Sequence, residues 1–304
     1  MMKGSDEITF VTAFFDINRN SWEGFERGSN LYFDYFTHWA SIKNDLIIYV
    51  GDEETKEKIN SVRNASDNST IVEVVSNVFD EDPLLDSSLK SVNYTTANHY
   101  RLLRNNPEAK NPDYNYIMMM KYHFLKKAII DNDVVGPVAW IDFGFDHGGV
   151  DYSSSYFDFC AKYTNEKITM FSLFALEDLD NLSIVDLVLR MDTVIQGSLI
   201  VGPPEKMLSL CDNAIDAQKE LNACGLMDDD QITLLMAYRK NPQNYSIINC
   251  DWHKGLFYIK EGTVILNQKR GIIKAFARSL KWIFKKIKYC FSLFFYLLSK
   301  GTPK

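Results

Sequence analysis

Val138-Ala-Trp-Ile-Asp-Phe-Gly-Phe-Asp-His-Gly-Gly149 is the stretch on which the rest of the chain is organised. An apolar run from Val138 to Ile141 follows Pro137, reaches a carboxylate at Asp142 and breaks into glycines. A short run with such boundaries predicts a buried central strand. Ligands of open α/β sheets bind outside the carboxyl ends of the strands, which is where Asp142 would sit. Glycines at 144, 148 and 149 let the backbone turn sharply or lie against a ligand. A lone Asp-x-Gly is more often a capped turn, and the elements on either side decide between the two.

Upstream, Ile8 to Phe15 reads as a first strand ending in the polar turn Asp16-Ile-Asn-Arg-Asn20. An aromatic-striped helix over Asn30–Ile42, a strand at Asp45–Val50, a polar helix at Glu53–Asn64 and a strand at Thr70–Val75 follow. This alternation predicts a mostly parallel sheet with helices on both faces. Residues 77–113 show no period and read as loops and short helices, before a strong helix from Asn115 to Asp131. Downstream come an aromatic stretch (Tyr152–Tyr163), a strand at Ile168–Leu173, a helical piece at Val185–Met191 and an apolar strand bracketed by Gly197 and Gly202. A long helix over Glu205–Cys224 ends at Gly225, a residue suited to closing it. Asp228-Asp-Asp-Gln231 then opens a helical run, Ile232–Tyr238, and Ser246–Trp252 is a last strand leading to His253-Lys-Gly255. One acidic residue at a helix start is explained by capping and the helix dipole. Three in a row repel one another and call for a cation, a basic partner or full exposure.

With 304 residues, 46% of them hydrophobic and 13% aromatic, the chain can bury a sizeable core. Its five cysteines are odd in number and contain no Cys-x-x-Cys, which suits a reducing compartment and argues against a zinc site. No secretory signal precedes the first strand, so a cytoplasmic location is expected. The charge is uneven. Ten of the 33 Lys and Arg lie between Lys269 and Lys304, where there is no acid, leaving 23 against all 40 Asp and Glu in residues 1–268, a net −17. An acidic body of this kind does not seek nucleic acid.

The C-terminal segment, residues 263–304, reads as a separate device from a body spanning 1–262. Apolar residues at Ile273, Phe276, Leu280, Ile283, Ile287, Phe291, Phe294 and Leu298 repeat along one helical face, with Lys274, Arg278, Lys281, Lys285 and Lys288 on another. That is the pattern of a helix lying in a membrane interface. Tyr289–Leu298 is too short to span a bilayer. The competing expectation is a terminal helix docked on the body.

Val11-Thr-Ala-Phe-Phe-Asp16, Trp140-Ile-Asp-Phe-Gly144, His147-Gly-Gly149 and Asp229-Asp-Gln231 together resemble the HtrL/YibB-type family of bacterial surface-polysaccharide genes, and more broadly the GT-A glycosyltransferases. The resemblance covers residues 8–258 and implies a Rossmann-like mixed α/β sheet flanked by helices. It implies transfer of a sugar from a nucleotide-sugar donor, UDP-linked first of all, to a lipid-linked or oligosaccharide acceptor. The product would belong to lipopolysaccharide, O-antigen or capsule, and the work would be done at the cytoplasmic face of the inner membrane. Thr12, Ala13, Asp16, Arg19, Lys121, Asp142, Phe143, Gly144, Gly197 and Gln231 are the expected donor contacts. Asp142 and His253 are the expected ligands of Mn²⁺ or Mg²⁺, which neutralises the leaving diphosphate. A GT-A Asp-x-Asp would carry its second Asp where Gly144 stands, so Asp146 or His147 substitutes, or the metal is weakly held or dispensed with. Asp230, oriented by Asp229, is the expected general base of an inverting reaction; in a retaining one Asp230 and Gln231 would steady the donor sugar. A degenerate binding protein is the alternative. A nucleotidyltransferase fits less well, because Asp16-Ile-Asn-Arg19 lacks the glycine-rich loop.

Overall fold

The computed structural model describes residues 6–63, 70–92, 101, 103, 105–147, 158–162, 166–173, 182–262 and 264, with isolated positions between 280 and 299. Gly148, Gly149 and most of the expected aromatic stretch at Tyr152–Tyr163 lie outside the described residues. Seven strands form one sheet: β1 (Thr9–Phe14), β2 (Leu46–Val50), β3 (Thr70–Val74), β4 (Val138–Ile141), β5 (Ile168–Ser172), β6 (Ile195–Gly202) and β7 (Tyr245–Asn249). The helices are α1 (Ser29–Trp39), α2 (Glu53–Arg63), α3 (Pro83–Val92), α4 (Pro107–Lys110), α5 (Pro112–Asp131), α6 (Ile184–Arg190), α7 (Pro204–Ala223), α8 (Asp230–Lys240) and α9 (Gly255–Glu261).

The strand order is β3-β2-β1-β4-β6-β5-β7. Parallel pairing joins β1 to β2 and β4, β2 to β3, and β5 to β7, while β6 runs antiparallel to both β4 and β5. The expected α/β class and mixed sheet are therefore present, with β6 as the reversed strand. The chain moves outward from β1 to β2 and β3, then crosses through α5 to β4 on the other side of β1. Such a reversal leaves a crevice at the carboxyl ends of the two strands where it occurs.

Both faces of the sheet are covered, which is why β2, β4, β5 and β6 are buried along their whole length. Val11, Ile47 and Tyr49 face α5, whose Tyr116, Met120, Phe124 and Ala128 form its core stripe. The neighbouring positions Phe10, Leu46 and Ile48 face the other way, onto Phe36 and Trp39 of α1. The methionine triplet beginning at Met118 serves this packing, with Met119 and Met120 each 2% exposed. α5 begins three residues earlier than its apolar period suggests. Asn111 caps it by accepting from the Asp113 and Tyr114 amides, and Pro112 takes the first turn, where no N–H is needed. α9 is an element that periodicity did not announce; its Leu256 and Ile259 are buried on the α1 side of the sheet.

In the tail, Leu280, Ile283, Phe284, Ile287, Phe291, Phe294, Phe295 and Leu298 are helical and 39–67% exposed. At 100° per residue these positions fall on one face of a helix. Among the described residues no helix is long and apolar enough to cross a membrane.

Candidate active site

The crevice at the carboxyl ends of β1 and β4 collects most of the candidate residues. Asp142 follows β4 directly, and its amide donates to the Ser198 carbonyl of β6 at 2.9 Å. Its Oδ1 accepts from the Trp140 indole at 2.7 Å and from Lys121 Nζ at 3.2 Å. Among the described residues Oδ2 has no protein partner, and the side chain is 36% exposed. One carboxylate oxygen is thus anchored and the other left to the crevice.

Lys121 reaches this point from the middle of α5. Its ammonium donates to Asp142, to the Gly197 carbonyl at 2.8 Å and to Asp230 Oδ2, and it is 2% exposed. Burial works against its charge, but Asp142 and Asp230 overcome the penalty and hold the ammonium above its ordinary range. Three protons meet three acceptors. Lys121 is thus engaged inside the protein, and the expected contact with a donor phosphate would require it to leave one of these partners.

Gly197 belongs to the same arrangement. A Cβ there would lie 1.7 Å from Asp230 Oδ2. The space expected for donor or acceptor is filled by the Asp230 carboxylate, and glycine is required because no side chain fits between them.

The three adjacent carboxylates are all buried, each 5% exposed or less. Asp228 pairs with the buried Arg101 at 2.9 Å, and Arg101 also donates to the carbonyls of Met227 and Glu108. Asp230 pairs with Lys121. Asp229, between them, has no cation against it among the described residues. Its carboxylate accepts from the Gln231 amide and from Gln231 Nε2, both at 3.1 Å, and caps α8. Burial, then the charges of Asp228 and Asp230, push its carboxyl well above the usual range. Burial also raises Asp228 and Asp230, opposed by Arg101 and Lys121 respectively. The basic partners that three aspartates required were legible as a need; which two of 33 cations supply them was not.

On the β1 side, Arg19 lies with its guanidinium carbon 5.6 Å from the Trp22 ring centre and 5.4 Å from that of Tyr114. It donates to the Phe25 carbonyl at 3.3 Å and to the Tyr32 hydroxyl at 2.9 Å. Among the described residues it forms no ion pair. Tyr114 joins the two sides of the crevice: burial raises its phenol well above the ordinary value, with Asp229 adding to that and Arg19 opposing it. Asp16 is exposed and serves its own loop, accepting from the Asn18 amide at 2.8 Å and from Ser29 Oγ. Ala13 is half-buried in β1. Thr12 is 0% exposed inside β1, so its side chain does not face the crevice. Phe143 likewise belongs to the core, stacked on Phe36 at 4.5 Å and Phe14 at 4.8 Å.

The turn after Asp142 answers the question of the missing second Asp. A Cβ at Gly144 would meet the Tyr32 ring at 2.9 Å, so α1 occupies that space. Asp146 is no substitute: it is 0% exposed and faces His38, whose Nδ1 lies 2.8 Å from Oδ2. His147 is exposed and packs edge-on against His253, with ring centres 4.4 Å apart. His253 is 5% exposed and adopts φ 61, a left-handed backbone that costs a non-glycine residue on the order of 1 kcal/mol. Burial, reinforced by His147, lowers its imidazole to about 4, so it is neutral and able to act as a ligand. Among the described residues no group of three His, Cys, Asp or Glu is preassembled around a metal. Asp142 Oδ2 and neutral imidazoles are donor types that accept Mn²⁺, but only as part of a set completed by something else.

Fold and site together define an α/β protein with a cluster of carboxylates at the switch point of a mixed sheet. The chain belongs to the HtrL_YibB family, described as a bacterial protein of unknown function, whose model matches residues 6–259. It is 29% identical over 257 residues to Protein HtrL of Escherichia coli (strain K12), covering 81% of this chain and 88% of that relative. Among solved structures, apo mouse xyloside xylosyltransferase 1 matches over 83% of this chain and 93% of its own, with TM-score 0.43 and 9% identity.

Proposed function

We propose that this chain is a nucleotide-sugar-dependent glycosyltransferase that extends a cell-surface glycan from the cytoplasmic face of the inner membrane. One observation carries the reading. At the switch point, and among the described residues, an oriented cation with no ion pair (Arg19) stands across from an anchored carboxylate with one open oxygen (Asp142) and a buried carboxyl with no ion pair (Asp229). A nucleotide diphosphate supplies the anion for the first, and a hydroxyl that must lose a proton suits the last.

In this reading Arg19 holds the diphosphate and Asp142 with His253 would hold Mn²⁺ or Mg²⁺. That ion, when bound, neutralises the departing diphosphate. The roles of the two central aspartates exchange relative to expectation. Asp230, committed to Lys121, supports the site, and Asp229 takes the acceptor proton, with Gln231 fixing its orientation. A raised carboxyl pKa makes the better base near neutral pH. The exposed apolar tail face, in a segment with ten basic and no acidic residues, supports attachment to anionic lipid and hence access to a lipid-linked acceptor.

The test is nucleotide release from UDP-, GDP-, CMP- and dTDP-sugars, with Mn²⁺ or with chelator, on wild type and Asp142→Ala. Donor-selective, metal-dependent release that disappears in the variant is expected. Release surviving both chelator and mutation retains the transferase and removes the metal site. The second reading, a binder that no longer transfers, is favoured by Tyr32 filling the place of a second metal-binding Asp. It predicts donor binding without release, even with detergent-solubilised lipid acceptors. For the tail, co-sedimentation with vesicles containing anionic lipid should be lost when residues 263–304 are deleted.

A further inference from the structure

Around the turn that follows Asp142, four rings follow one another in contact. Tyr35 of α1 meets His147 at 6.0 Å between ring centres, His147 meets His253 at 4.4 Å, and His253 meets Trp252 at 5.9 Å. They come from three separate parts of the chain: α1, the turn after β4, and the loop after β7. Trp252 lies at 30° to the His253 ring and is 38% exposed; His147 is exposed and Tyr35 half-buried. Phe145, 1% exposed, backs the row at 5.6 Å from His253. The left-handed backbone at His253 turns the chain at the centre of the row. Nothing in the roles given to Asp142, Asp229 or Arg19 requires Tyr35 or Trp252.

We propose that this row is a pyranose subsite, in which the apolar face of a sugar ring lies on Trp252 and the edges of the more exposed rings, His147 and Tyr35, address its hydroxyls. The shape and chemistry of the rings identify the ligand class. Flat, half-exposed rings match the C–H face of a pyranose, while the indole N–H, imidazole nitrogens and phenol O–H provide polar edges. The identification of the sugar as substrate rests on the transferase reading; the binding itself does not.

Saturation-transfer NMR with a panel of methyl glycopyranosides, and with uridine as a second probe, tests this without requiring turnover. Wild type should transfer saturation to the ring C–H protons of at least one pyranoside. Trp252→Ala should weaken that pyranoside about five- to tenfold, the scale of one lost aromatic stacking contact, and Trp252→Phe should restore most of it. His147→Ala provides a second variant at an exposed position, should Trp252→Ala not fold. The proposal is overturned if no pyranoside is saturated, if binding is equal in wild type and both alanine variants, or if Trp252→Ala loses uridine and keeps the pyranoside. Pyranoside binding without nucleotide release from any donor would refute the transferase reading and leave this subsite standing. Donor-selective release with no pyranoside binding would do the reverse.

Discussion

The two flanks of the crevice handle charge in opposite ways. On the β1 flank Arg19 is fixed by two ring faces, a carbonyl and a phenol, all uncharged, and keeps its positive charge for whatever enters. On the β4–α8 flank cations and carboxylates are paired inside the protein, Arg101 with Asp228 and Lys121 with Asp142 and Asp230, while Asp229 has no cation against it among the described residues. The contrast separates groups that hold the structure from groups available to a ligand. Burial alone does not make that separation, since Asp228, Asp229 and Asp230 are equally buried.

The sharpest way to break the comparison is to remove the central cation. Lys121→Met leaves Asp230 buried and unpaired, a change that costs about 3–5 kcal/mol when one partner of a buried pair is lost. The double variant Lys121→Met/Asp230→Asn removes both charges and should recover most of that stability in urea unfolding, while nucleotide release stays low. If the single variant is as stable as wild type, the pairing at the centre of this flank is not what holds Asp230.

Asp229→Asn should move activity and stability in opposite directions. Removing a general base costs about 10²–10⁴-fold in turnover, with donor binding retained. The stability effect follows from the raised carboxyl pKa. A group whose folded pKa lies above its unfolded value favours the folded state at low pH, and that advantage is lost as pH rises through the folded pKa. Wild type should therefore lose stability on the alkaline side of that transition, and Asp229→Asn should flatten the decline. Equal pH profiles for the two proteins would place Asp229 outside the site's titration. A turnover loss confined to Asp230→Asn would return the base to that residue.

Gly197→Ala tests the same flank by sterics. Its Cβ cannot coexist with Asp230 Oδ2, so either the carboxylate or β6 must shift, at a cost of about 1–3 kcal/mol. Truncating the obstructing group in Gly197→Ala/Asp230→Ala should make the glycine substitution nearly neutral for folding. Simple addition of the two single effects would mean that the close approach is not energetically real.

Much of this architecture was legible in the sequence because it depends on local pattern. The carboxylate ending β4, the strand–helix alternation and the acidic start of α8 all follow from runs of a few residues. What escaped depends on contacts far apart in the chain. Lys121 was expected at the donor, but the reversed strand β6 brings the Gly197 carbonyl and, behind it, Asp230 to its ammonium. Arg101 stood in a stretch without periodicity, and only the demand of three adjacent aspartates hinted that such a cation must exist. The burial of Phe143 and Thr12 escaped for the same reason: proximity in sequence to Asp142 or to the end of β1 does not say which side chains the core takes.

Arg19→Met is the smallest of these effects and the most specific to the β1 flank. Methionine keeps an unbranched apolar stem able to pack between Trp22 and Tyr114, so the fold should change little. Losing one charge-assisted hydrogen-bonding partner is worth about 1.5–3 kcal/mol, or roughly ten- to a hundredfold in affinity for a nucleoside diphosphate measured by calorimetry. The nucleoside without phosphate should bind both proteins alike. Arg19→Lys should recover only part of the loss, because an ammonium lacks the planar fork that Tyr32, the Phe25 carbonyl and the two rings hold in place. If nucleoside and diphosphate weaken together in Arg19→Met, the residue supports the aromatic pair rather than the anion. The electrical division between the two flanks would then rest on the carboxylate side alone.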